Sequence, residues 1–117
     1  ELKEIIIYHN SRCSKSRQTL ELLTQKGYSP KIINYLDNIL SYEDIENLII
    51  MLKIKPRELL RKSELEYKEN NLDNSKLKDK EIINYMVKIP KLIERPIVVF
   101  GDNAIIGRPP ENIYKLL

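Results

Sequence analysis

The stretch Ile5-Ile6-Ile7-Tyr8-His9-Asn10-Ser11-Arg12-Cys13-Ser14-Lys15-Ser16-Arg17 decides the reading of this chain. Its β-branched start fits a strand running from Lys3 to His9 and buried on both faces. Asn10 to Cys13 breaks the pattern as a polar loop, and from Ser14 the composition turns helical. Leu20, Leu22 and Leu23 give that helix an apolar side, and Gly27 suits its end. Cys13 therefore falls at a strand-to-helix junction. Unpaired backbone N–H groups and the positive end of the helix dipole there favour thiolate over thiol. Arg12, Lys15 and Arg17 push the same way. Cys13 to Ser16 also has C-x-x-S spacing, a redox C-x-x-C with hydroxyl in place of the second thiol. The competing reading of Cys13 is a small buried hydrophobe.

Outward from this loop, Lys31 to Leu36 reads as a second strand, completing a βαβ unit with parallel pairing. Ser41 and Asp44 form a weakened capping box ahead of Ile45, Leu48, Ile49 and Leu52 at helical spacing. Pro56 suits the first turn of a short helix through Leu59 and Leu60. Glu64 to Lys80 is charged and turn-rich, and reads as a mobile surface segment, a candidate flap over an anion site. Ile82, Ile83, Met86 and Ile89 mark another helix stopped near Pro90. Pro96 to Phe100 and Ala104 to Ile106 read as a hairpin around Gly101-Asp102-Asn103, and Pro109-Pro110 opens a closing helix. The order βαβ, helical insert, ββα predicts an α/β thioredoxin-like (glutaredoxin-like) mixed sheet. The chain reads as a single domain, 1–117, with the insert at about 41–90.

Composition narrows the function classes. The 117 residues suffice for one core without disulfides or a structural metal. With 42% hydrophobic and 32% charged residues the chain falls among ordinary globular domains. A net charge of +3 with both signs interleaved argues against a nucleic-acid partner. No apolar run is long enough to span a membrane, and Glu1-Leu2-Lys3-Glu4 lacks the features of a signal peptide, so a cytoplasmic location is the default expectation. One cysteine and one histidine exclude an internal disulfide and are too few for a zinc site. His9 either orients the loop and biases Cys13 toward thiolate, or is a strand-end histidine bonded to backbone.

Tyr8 to Arg17 resembles the active-site loop of the glutaredoxin-dependent arsenate reductases, and three further segments match in order. Leu59-Leu60-Arg61-Lys62 resembles the segment carrying that family's first substrate arginine, Arg95-Pro96-Ile97-Val98-Val99 the second, and Arg108-Pro109 the third. The resemblance implies Cys13 as nucleophile and Arg61, Arg95, Arg108 and Ser16 as the arsenate-binding set. It gives supporting roles to His9, Asn10, Arg17 and Pro96, the last as the cis-proline beside the active cysteine. It further implies reduction of arsenate to arsenite by a monomer with no bound cofactor, glutathione as co-substrate and glutaredoxin as partner. Guanidinium forks suit a compact oxyanion by directed, charge-assisted hydrogen bonds. One departure is Ser11, where the family often has proline, which in principle loosens the loop.

Three other readings share the scaffold. A Spx-like transcriptional regulator binding RNA polymerase would typically lack Arg108-Pro109 and often carries C-x-x-C. A general glutathione-dependent thiol oxidoreductase would need no arginine cluster. A reductase of another anion would keep every motif.

Overall fold

The computed structural model describes residues 4–117. The chain divides into two compact units: one comprises the described residues up to Asn38 together with Arg95–Leu117, the other Ile39–Glu94.

The first unit is built on a four-stranded mixed sheet of order β2-β1-β3-β4. Strand β1, Ile5–His9, pairs in parallel with β2, Lys31–Asn34, and antiparallel with β3, Ile97–Phe100; β3 pairs antiparallel with β4, Asn103–Ile106. This is the thioredoxin-like arrangement expected from the element order. The expected strand start at Lys3 lies outside the described residues. Burial along β1 alternates, with Ile5, Ile7 and His9 buried and Ile6 and Tyr8 half-buried. The strand is thus not buried equally on both faces, because the pleat sends successive side chains to opposite sides.

Helix α1, Ser14–Gln25, crosses from β1 to β2 and brings Leu23 onto a core of Ile5, Ile7, Val98 and Ile113. The helix ends where Gly27 adopts φ +89°, with the Tyr28 N–H donating to the Leu23 carbonyl as the chain turns out. A two-residue turn with Gly101 at φ 64° joins β3 to β4. The closing segment, Pro110–Lys115, is a 3₁₀ helix and not the α-helix its pattern suggested.

In the second unit, α2, Tyr42–Leu52, starts with the reciprocal box foreseen at Ser41: the Asp44 N–H donates to Ser41 Oγ at 3.1 Å and the Ser41 N–H to Asp44 Oδ2 at 2.9 Å. A 3₁₀ turn, Pro56–Leu59, a short α3, Leu65–Glu69, and α4, Asp79–Lys88, follow. Helix α4 packs against α2 and the 3₁₀ turn. The segment expected to be mobile is instead folded. Leu72 is fully buried, and the Arg57 guanidinium donates to the Leu72 and Asn74 carbonyls at 2.7 and 2.8 Å. One apolar anchor and one bidentate cation hold a stretch whose average composition reads as solvated.

Candidate active site

Cys13 is the N-cap of α1, with extended backbone (φ −93°, ψ 122°) and a partly exposed side chain. The loop before it is a β-turn closed by the Cys13 N–H donating to the Asn10 carbonyl at 3.0 Å. Asn10 Oδ1 accepts the Arg12 N–H at 3.0 Å inside that turn, and Arg17 Nη1 donates to the Ser11 carbonyl at 2.8 Å. Two side-chain hydrogen bonds thus hold the loop at Ser11 and Arg12.

Below the loop lies a buried polar triad. Ser16 is fully buried; its Oγ accepts the Asn10 N–H at 3.1 Å and shares a 2.6 Å hydrogen bond with His9 Nδ1. Burial, and then the Arg17 charge, hold the His9 pKa below the usual 6.5. His9 is therefore a neutral strut joining the end of β1 to the first turn of α1, and not a residue bonded only to backbone. The Ser16 hydroxyl is spent inside the fold.

The two strand ends of the hairpin bring in the arginines. Arg95 precedes a cis peptide to Pro96, in agreement with the sequence reading; a second cis peptide, Arg108–Pro109, was not foreseen. Arg108 Nη1 lies 3.7 Å from Cys13 Sγ and donates to the Arg95 carbonyl at 3.2 Å, while Arg95 is buried. Burial alone would raise the Cys13 pKa. Against it act the Ser16 N–H, the Arg95 side chain, the Lys15 N–H and the Arg108 side chain, and the net result lies below the ordinary thiol value of 9.0. Cys13, Arg95, Arg108, Pro96, His9, Asn10, Ser16 and Arg17 thus share one unit. Arg61 belongs to the other, where its guanidinium pairs with Glu64 at 3.1 Å and Glu94 at 3.3 Å.

Two residues of this construction escaped the sequence reading. Thr19, fully buried one turn after Ser16, donates to the Lys15 and Gly107 carbonyls at 2.8 and 3.3 Å. The Gly107 N–H donates to the Pro96 carbonyl at 2.9 Å. A Cβ on Gly107 would stand 2.7 Å from Thr19 Oγ1 and 3.0 Å from Pro96 Cγ, so only glycine allows this approach. The available signal was the spacing Ser16, Thr19, Leu23, which puts two hydroxyls on the inward face of α1. Among the described residues no group of three His, Cys, Asp or Glu side chains is placed to hold a metal, and no helix is long and apolar enough to cross a membrane.

The chain is similar to known proteins over nearly its whole length. The ArsC family model matches residues 8–116. A protein of Escherichia coli K12 named as the uncharacterized protein YfgD is 45% identical over 116 residues, 98% of each chain. The arsenate reductase of Haemophilus influenzae is 44% identical over 114 residues, covering 97% of this chain and 98% of that one. The solved structure of the arsenate reductase from Vibrio cholerae superposes with a TM-score of 0.97 at 43% identity, over 100% of both chains. Fold, site loop and full-length similarity all lead to one assignment: the chain belongs to the ArsC family.

Proposed function

We propose that this protein is an arsenate reductase in which the Cys13 thiolate is the nucleophile and glutathione and glutaredoxin are the external reductants. The observation that carries the reading is the contact of Arg108 with Cys13, at 3.7 Å, on a sulfur that Arg95 also supports. A general thiol oxidoreductase needs a thiolate but not two guanidinium groups on it; an oxyanion approaching that thiolate needs both. The names of the relatives point to the same substrate.

In this reading the thiolate attacks arsenic, an As–S bond forms, and one arsenate oxygen leaves as water after protonation. Glutathione then attacks Cys13 Sγ. The S–S bond forms as the As–S bond breaks, and the electron pair of that bond stays on arsenic, taking it from arsenic(V) to arsenic(III). The glutathione proton ends on an arsenite oxygen, and the two sulfurs have supplied the two electrons. Glutaredoxin removes glutathione from Cys13 by thiol–disulfide exchange. Arg95 and Arg108 offset oxyanion charge, and the Ser16 and Lys15 N–H groups hold the thiolate. Ser16 acts through its backbone, with its hydroxyl, His9, Asn10 and Arg17 fixing the loop. Arg61 enters from its motif alone. The protein works as a cytoplasmic monomer without metal or prosthetic group.

Arsenate-dependent NADPH oxidation, coupled through glutathione, glutaredoxin and glutathione reductase, tests the reading. Turnover should vanish in Cys13→Ser. A wild-type protein with a reactive Cys13 and no arsenate turnover would instead favour a general thiol enzyme or a regulator.

A further inference from the structure

Beside the Cys13 loop, at the carboxyl ends of the parallel strands β1 and β2, lies a cleft of about 240 Å³ lined by His9, Asn10, Ser11, Arg12, Asn34, Leu36 and Asp37. His9 and Asn10 are buried and form its floor, whereas Arg12, Asn34, Leu36 and Asp37 are exposed along its rim. The Arg12 guanidinium and the Asp37 carboxylate line the same cleft, yet among the described residues neither forms an ion pair, with the other or with any third group. Arg17, by contrast, is tied to the Ser11 carbonyl. A cation and an anion set apart across a small polar cleft match the two charges of an amino-acid zwitterion, carboxylate toward Arg12 and ammonium toward Asp37. The Asn34 amide can serve either group, and Leu36 offers an apolar rest for a methylene chain.

We propose that this cleft binds the amino-acid end of the thiol co-substrate, the γ-glutamyl end of glutathione, so that the peptide runs past Arg12 and delivers its sulfur to Cys13. The proposal rests on the arsenate reductase reading for its role in turnover, but the binding itself does not depend on it. It accounts for how a protein with one thiol can recruit the second from the side of the loop away from Arg95 and Arg108, leaving those guanidinium groups to the oxyanion. Arg12 and Asp37 are binding residues in this account and touch no reacting atom.

The test uses the non-reactive probe S-methylglutathione and the intact protein, followed by amide chemical shifts. The expected perturbations cluster at Asn10, Arg12, Asn34 and Asp37. Arg12→Gln and Asp37→Asn each weaken binding on the order of tenfold, the consequence of losing one charge-assisted contact. In turnover, the same variants raise KM for glutathione by a similar factor, a rise that KM for 2-mercaptoethanol, which has no zwitterion, does not share. Shifts confined to Arg95, Ile97 and Gly107, or unaltered binding in both variants, would overturn the proposal. Binding at the cleft with no arsenate turnover would overturn the arsenate reading alone, and turnover with no binding there would overturn the cleft alone.

Discussion

Arg108 Nη1 stands 3.7 Å from Cys13 Sγ and 3.2 Å from the Arg95 carbonyl oxygen, so a single guanidinium ties the nucleophile on one strand-helix junction to the start of the hairpin. Its charge and its N–H both favour the thiolate. Arg108→Ala should move the pH midpoint of Cys13 alkylation upward toward the ordinary 9.0, and lower kcat/KM for arsenate by about ten- to hundredfold. Arg108→Lys keeps the charge without the fork and should restore the midpoint more than the arsenate KM. An unchanged midpoint in Arg108→Ala would show that the backbone N–H groups suffice.

His9 gives a stability prediction with a defined sign. Its folded pKa lies below the 6.5 of the unfolded chain, so below that pH the unfolded state binds the proton that the native state refuses. The stability His9 contributes is present above pH 6.5 and is lost as pH falls through the folded value. Tm should fall between about pH 7 and pH 5 in the wild type. The dependence should be shallower in His9→Gln, although that variant starts from a lower Tm. Thermal unfolding across that range, followed by circular dichroism, reads both effects.

The sequence carried the element order and the identity of the thiol, because β-branched runs, helical spacing and a lone cysteine are local signals. Cys13, Arg95, Arg108 and the cis-proline at Pro96 were all legible, the arginines only through their motifs. The Ser16–His9 bond and the inward turn of the Ser16 hydroxyl were not, since they depend on which face of α1 meets β1. Leu72 was hidden for a similar reason: one apolar residue among Asn, Asp and Lys has no periodicity, and only tertiary structure buries it.

Leu72 offers a direct check on that folded segment. Leu72→Ala removes a fully buried side chain and should destabilise the protein by about 2–5 kcal/mol in denaturant unfolding. The Leu72 N–H, which donates to the Tyr67 carbonyl at 3.0 Å, should exchange slowly. Rapid exchange with a negligible stability change would restore the picture of a loose surface stretch.

Gly107 and Thr19 form the close approach that aligns the Arg108 strand end with α1. Gly107→Ala should destabilise by about 1–3 kcal/mol, because the new methyl meets the buried Thr19 side chain and the Pro96 ring, neither of which can swing aside. The double variant Gly107→Ala, Thr19→Ala should recover part of that loss, a coupling that a double-mutant cycle measures. Additive effects would show that the contact is not shared.

The central claim, that Cys13 gives its thiolate to arsenic before it meets glutathione, is tested most directly by intact-mass analysis after incubation with glutathione, with and without arsenate, and with glutaredoxin left out. The account predicts a Cys13–glutathione mixed disulfide that accumulates only when arsenate is present and is absent from Cys13→Ser. An adduct forming equally without arsenate, or no adduct in its presence, would contradict it.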